Sequence, residues 1–209
     1  EKRSRLSYGW RGFNFVSVCF GLLSKDVSTV HYVSTRGQAP HLGFSDAVLT
    51  GLARDGGLYW PRDFAPLAQT RIADFAGRPY REVARAVIGP YATDIDSTAL
   101  GTMIDQAYAS FRHAVVCPLI QIGDNQFVLE LFHGPTLAFK DVAMQLLGRL
   151  MDHILKQRGE RATIVGATSG DTGGAAIEAF SGLEQVDVFI LYPHGRVSDV
   201  QRRQMTTVA

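Results

Sequence analysis

After Arg112 short apolar runs and amphipathic stretches alternate, and this alternation limits the chain to few architectures. Leu119-Ile120 and Phe127 to Phe132 read as strands. Asp141 to about Gln157 sets Val142, Ala143, Leu146, Leu147, Leu150, Met151, Ile154 and Leu155 on one broad apolar face, which predicts a helix. Thr163 to Gly166 is a short buried strand, Gly173 to Phe180 an alanine-rich helix and Val186 to Leu191 another buried strand, and Ser198 caps a final helix. Parallel strands need a crossover between them, usually helical, so the pattern predicts βαβ units. The architecture expected is α/β, an open doubly wound parallel sheet with its ligand site at the carboxyl ends of the strands.

The part before Arg112 is mainly helical. His31 to Arg36 reads as a short strand leading into Gly37. Ser45 is expected to cap a helix through about Arg54, with Phe44, Val48, Leu49 and Leu52 on one face and Asp55-Gly56-Gly57 as its stop. Leu58-Tyr59-Trp60-Pro61 leads into a loop. Two further helices are expected at about Tyr80 to Ile88 and Thr98 to Phe111, the second capped by Asp96 or Ser97. The expected division is therefore a small helical domain over 31–112, the first part of a sheet domain over 113–209, and an extension over 1–30. In that extension Lys2, Arg3 and Arg5 precede the apolar run Phe13 to Leu23, loosely like a signal peptide. The run is too short for a membrane span, and no small-residue cleavage motif clearly follows it.

Composition narrows the function classes. The 209 residues are enough for one or two domains with a real core. The 21 basic and 20 acidic residues leave a net charge of +1 with no dense basic stripe, which argues against nucleic acid as the main partner. Cys19 and Cys117 are far apart and make no metal spacing or disulfide framework, which fits a reducing cytoplasm. The six histidines are scattered singly, so a metal site gets little support.

Two stretches carry chemistry. Lys140 ends the run Leu131-Phe132-His133-Gly134-Pro135-Thr136-Leu137-Ala138-Phe139-Lys140 and opens the long amphipathic helix, where the positive end of the helix dipole disfavours a cation. Gly166-Ala167-Thr168-Ser169-Gly170-Asp171-Thr172-Gly173-Gly174 joins a strand directly to a helix, where free backbone N–H groups and hydroxyls can meet an anion. This second stretch fits neither the Walker phosphate loop nor the G-x-G-x-x-G dinucleotide pattern. Asp171 would repel a plain anion and suits a site that also handles a hydroxyl or a cationic centre. If two adjacent parallel strands end in one crevice, a lysine amine and a carboxylate-binding loop would meet there. That pairing suits a pyridoxal phosphate enzyme acting on an amino acid, with the lysine forming a Schiff base and shuttling protons. On spacing alone, a surface lysine and a tight capped turn stay open as alternatives.

Phe132 to Asp141 (Phe-His-Gly-Pro-Thr-Leu-Ala-Phe-Lys-Asp) resembles the cofactor-lysine motif of threonine synthases. Ala167 to Gly173, Tyr32 to Gly37, Asp55 to Pro61 and Tyr192 to Met205 resemble further segments of the same family, in the same order. The resemblance covers residues 31 to 209. Residues 1 to 30 match nothing in it, and family members usually begin at a methionine near the position of Val30. The resemblance implies a pyridoxal-phosphate fold of the tryptophan synthase β type, of which this chain is an N-terminal part that would not turn over substrate alone. It implies that Lys140 is the Schiff-base and acid/base lysine. Thr168, Ser169, Gly170, Asp171, Thr172 and Gly173 would face the substrate carboxylate and the 3-hydroxyl side of the cofactor. His133 and Thr136 would line the lysine loop, either touching substrate or serving local structure. Ser34, Thr35 and Arg36 are weaker candidates, with Arg36 meeting a substrate phosphate if the small domain folds over the crevice. The reaction implied converts O-phospho-L-homoserine and water to L-threonine and phosphate, a carbon–oxygen lyase chemistry. Alternatives are a related phospholyase that releases a keto acid, or a non-catalytic truncated binding module.

Overall fold

The computed structural model describes residues 30–168 and 170–207. The apolar run Phe13 to Leu23 and Ser169 lie outside them.

The chain enters as β1 (Tyr32–Ser34), which pairs antiparallel with β2 (Tyr59–Pro61) in the register Val33 opposite Trp60. The segment read as a loop lead at Tyr59 to Pro61 is thus a strand. Helix α1 (Phe44–Thr50) starts after Gly43 and not at a Ser45 cap. The Ser45 amide is met instead by the Asp94 carboxylate at 3.0 Å, a cap brought from 49 residues away. The helix also stops sooner than Arg54. Gly51 adopts φ 64°, a left-handed conformation that glycine enters without steric cost, and the chain turns off there. Leu52, expected on the buried face, is consequently exposed and makes a short bridge to Leu58.

Three helices follow, α2 (Gln69–Ala73), α3 (Tyr80–Ile88) and α4 (Ser97–Ala109). Asp96 caps α4, its carboxylate accepting from the amides of Thr98 and Ala99 at 3.0 and 2.9 Å. Leu100, Met103, Ile104, Ala107 and Tyr108 of α4 pack against Leu146, Leu150 and Ile154 of α5 (Asp141–Arg158), and Phe44, Val48 and Leu49 close the cluster from α1. The main core therefore runs across residue 112.

Strands β3 (Leu119–Gly123) and β4 (Gln126–Leu129) form an antiparallel hairpin with a bulge between Gln121 and Gly123. The two residues between them, Asp124 and Asn125, are far too few for a parallel crossover, and the turn at Asn125 (φ 58°) reverses the chain instead. The parallel arrangement expected does hold for β5 (Ala162–Ala167) and β6 (Val186–Leu191), paired from Ala162 opposite Val186 to Ala167 opposite Leu191. Helix α6 (Asp171–Phe180) connects them, and α7 (Asp199–Thr206) follows, its Ser198 hydroxyl accepting from the Gln201 amide at 3.3 Å. The chain is thus a partial α/β domain. Strands β5 and β6 were expected to be buried on both faces, yet only one is covered. Ile164, Val188 and Ile190 lie against Leu155, Ala176, Ala179 and Phe180, while Val165, Phe189 and Leu191 on the other face are open. Helices α5 and α6 stand on one side of the pair only.

Helices α5 and α6 approach closely because Gly148 has no side chain. A Cβ at that position would lie 2.5 Å from the Ala179 carbonyl oxygen. Among the described residues no helix is long and apolar enough to cross a membrane.

Candidate functional site

The loop between β4 and α5 is built around one carboxylate. Asp141, in the first turn of α5, is fully buried and accepts from the Thr136 amide at 2.8 Å and the Thr136 hydroxyl at 2.7 Å. Gly134 is packed so tightly on the Asp141 side chain that a Cβ there would collide with it. Leu137 takes a φ of 66°, which a branched side chain adopts only under constraint. The result is a fixed turn that delivers Lys140 as the capping residue of α5. Lys140 is half-buried, and its Nζ stands 4.2 Å from the centre of the Phe139 ring. Among the described residues no carboxylate forms an ion pair with it. An amine placed at the positive end of a helix without an acidic partner keeps its nitrogen available for chemistry.

His133 and Thr136, expected to line this loop, are both engaged within it. His133 Nε2 is 2.7 Å from Glu130 Oε2, its ring packs on His113 with centroids 4.9 Å apart, and its carbonyl accepts from the Arg112 amide. The Thr136 hydroxyl is taken up by Asp141.

The second loop continues β5. The Thr168 amide donates to the Leu191 carbonyl at 3.0 Å, extending the parallel ladder by one bond. The Gly170 amide then donates to Thr168 Oγ1 at 3.3 Å, and the Gly174 amide to the Gly170 carbonyl at 3.1 Å. Gly173 is required by packing, since a Cβ would stand 2.6 Å from Thr168 Cγ2 and 2.8 Å from Met205 Sδ. Asp171 and Thr172 open α6 and are exposed. Ser169 lies outside the described residues.

The two loops are not on adjacent parallel strands, as the sequence had suggested, because β4 belongs to the hairpin and not to the β5–β6 pair. They are joined by α7. Gln204 Nε2 donates to the Thr136 carbonyl at 3.1 Å, and Gln201 Nε2 donates to Asp171 Oδ1 at 3.1 Å. Neither glutamine is singled out by the sequence reading. The available signal was their spacing of three, with Met205 next to them, on the inner face of a short helix.

Arg36 lies in a third cluster. Its Nη1 donates to the Asp55 carbonyl at 2.9 Å, and Ser34 Oγ donates to Asp55 Oδ1 at 2.7 Å. Asp55 also accepts from the amides of Gln38 and Gly57, both at 2.9 Å. The Ser34 hydroxyl, with these two amides, holds the Asp55 carboxyl below its ordinary range. Thr35 Oγ1 accepts from the Leu58 amide. Among the described residues no hydrogen bond ties this turn to either of the other loops.

A half-buried lysine and a threonine- and glycine-bearing loop are fastened to one helix within a partial α/β domain, and together they make the candidate site. The family is more particular. Residues 31–108 match the family model described as the threonine synthase N terminus. The chain is 54% identical over 180 residues to the threonine synthase of Pseudomonas aeruginosa, covering 86% of this chain and 38% of that protein. It is 44% identical over 191 residues to that of Schizosaccharomyces pombe, covering 87% and 37%. In structure it is similar to pyridoxal-phosphate-bound threonine synthase from Brucella melitensis, with TM-score 0.83 and 62% identity over 85% of this chain and 39% of that one. Threonine synthase from yeast gives TM-score 0.82 and 41% identity over 88% and 39%. The chain thus matches the amino-terminal part of the threonine synthases. It spans about 38% of the length of the curated relatives.

Proposed function

We propose that the protein containing this chain is a threonine synthase that uses pyridoxal phosphate to convert O-phospho-L-homoserine and water into L-threonine and phosphate, in the cytoplasm. The observation that carries this reading is the presentation of Lys140, half-buried and without an acidic partner among the described residues, at the end of a turn locked by Asp141.

The donor set suits the cofactor. Lys140 offers a primary amine to its aldehyde. Thr168, Thr172 and the backbone amides of Asp171, Thr172 and Gly173 at the start of α6 would offer hydrogen bonds to a substrate carboxylate, and Ser169, Gly170, Asp171 and Gly173 would face the ring-hydroxyl side of the cofactor. When bound, pyridoxal phosphate supplies an electron sink that acidifies the carbon bearing the substrate amino group. Lys140 Nζ would accept the proton released there and return a proton further along the substrate chain, a task suited to an amine that no described carboxylate holds in an ion pair. Asp171, kept in place by Gln201, can accept from a hydroxyl or balance a cationic centre. Arg36 uses one nitrogen on the Asp55 carbonyl, and its other N–H groups, with no hydrogen bond among the described residues, would meet a substrate phosphate. Because the chain spans about 38% of its relatives' length, turnover by these 209 residues alone is not expected.

The test is Lys140→Ala in the full-length protein. The visible absorbance of lysine-bound cofactor should vanish, together with release of threonine and phosphate from phosphohomoserine. A variant that kept that absorbance would overturn the role of Lys140. Release of a keto acid by the unmodified enzyme would overturn the reaction.

A further inference from the structure

We propose that α7 is a brace that fixes the lysine loop and the β5–α6 loop relative to one another, with Gln204 and Gln201 as its positioning residues. The geometry stands by itself; that the braced loops are a catalytic site rests on the function proposed above.

Gln201, Gln204 and Met205 fall at positions i, i+3 and i+4, which share one face of a helix. That face is turned inward, with Met205 buried and the two glutamines half-buried, while Arg202 and Arg203 between them are exposed. The two side-chain amides then diverge. Gln204 reaches the Thr136 carbonyl, in the turn that delivers Lys140, and Gln201 reaches Asp171, in the loop opposite. At the β5–α6 loop the contact is packed as well as hydrogen-bonded. A Cβ on Gly170 would collide with the Gln201 amide, and one on Gly173 would crowd Met205 Sδ. The absence of side chains at these two glycines lets α7 seat against the loop.

The choice of amide follows from the partners. An arginine or lysine at position 201 would form an ion pair with Asp171 and neutralise it, whereas an uncharged donor positions the carboxylate and leaves its charge. At position 204 the acceptor is a carbonyl just before Leu137, whose left-handed backbone needs support from its surroundings. The Gln204 bond supplies part of that support, at the Thr136 carbonyl, while Asp141 holds the amide and the hydroxyl of the same residue. One short helix therefore holds both loops, and a shift of α7 would displace them together.

Gln201→Met and Gln204→Met keep side-chain volume and remove the donor. In the full-length protein without cofactor, hydrogen–deuterium exchange should accelerate about fivefold over residues 136–140 for Gln204→Met and over 170–174 for Gln201→Met, the amount expected from one lost neutral hydrogen bond. Exchange in α4 serves as the control and should not change. In the holoenzyme kcat should fall several-fold while KM for phosphohomoserine stays within about twofold, because the loops are misplaced and no substrate contact is removed. Unchanged exchange in both loops, acceleration in α4 to the same extent, or altered exchange with an unaltered kcat would each overturn the brace. Exchange in the cofactor-free protein does not depend on what Lys140 does, so failure of the Lys140→Ala test leaves this result readable.

Discussion

Asp141 accepts both hydrogen bonds that Thr136 can donate, from a side chain with no exposed surface. A carboxylate next to the expected catalytic lysine is thereby committed to holding the loop and not to pairing with the amine. It also places negative charge in the first turn of α5, where the helix dipole favours it.

Asp141→Ala would strand the half-buried amide and hydroxyl of Thr136, at a cost of about 1–2 kcal/mol for each donor left without a partner. The expected loss is about 2–4 kcal/mol by denaturant unfolding of the full-length protein, with Asp141→Asn losing roughly half of that because its carbonyl oxygen still accepts one bond. Equal stability of the alanine variant and the wild type would show that the turn is held by other contacts.

Gly148→Ala tests the approach of α5 to α6. The added methyl would meet the Ala179 carbonyl oxygen at 2.5 Å, and backbone on both sides leaves little room for relief. A loss of about 1–3 kcal/mol is expected, the usual range for overpacking. Thermal unfolding measures it; an alanine variant that melts with the wild type would mean that the two helices separate freely.

Asp55 supplies a pH dependence. Its folded-state carboxyl lies below the ordinary value of 3.8, chiefly through the Ser34 hydroxyl. A group depressed on folding contributes stability that is present above its unfolded value and is lost as pH falls through the folded one. The Asp55 contribution should therefore be constant at neutral pH and disappear only in acid below the ordinary carboxylate range. In an NMR titration of the Asp55 carboxyl carbon, Ser34→Ala should move the midpoint up toward 3.8. A midpoint unmoved by the substitution would assign the depression to the amides of Gln38 and Gly57.

Ile104 is wholly buried at the centre of the cluster shared by α4 and α5. Ile104→Ala should cost about 2–5 kcal/mol, combining lost transfer energy with the cavity left behind. Urea unfolding gives the value, and a cost under about 1 kcal/mol would mean that the helices collapse into the space.

Much of the helical structure was legible because it is local. Tyr80 to Ile88 forms α3 as read, Asp96 caps α4, and Ser198 caps α7, since apolar periodicity and a capping side chain lie within a few residues of one another. The parallel β5–β6 pair followed from a short strand, a helix and a second strand in close succession. Where the reading failed, the deciding partner was distant or the turn was small. Ser45 lost its capping role to Asp94, α1 ended at Gly51 in place of the Asp55-Gly56-Gly57 stop, and the turn at Asn125 made an antiparallel hairpin of β3 and β4.

The candidate site divides in the same way. Lys140 at the start of a helix, and threonines and glycines between a strand and a helix, are properties of consecutive residues, and their order along the chain marks the family. Which loop stands beside which is a matter of contacts between residues far apart in sequence. The Gln204 bond to Thr136 spans 68 positions and the Gln201 bond to Asp171 spans 30. A glutamine on a short polar helix looks alike in sequence whether it faces solvent or a backbone carbonyl. The sequence determined the chemical groups and the local turns that present them; the packing of α7 against Gly170 and Gly173 decided how two of those turns are held together.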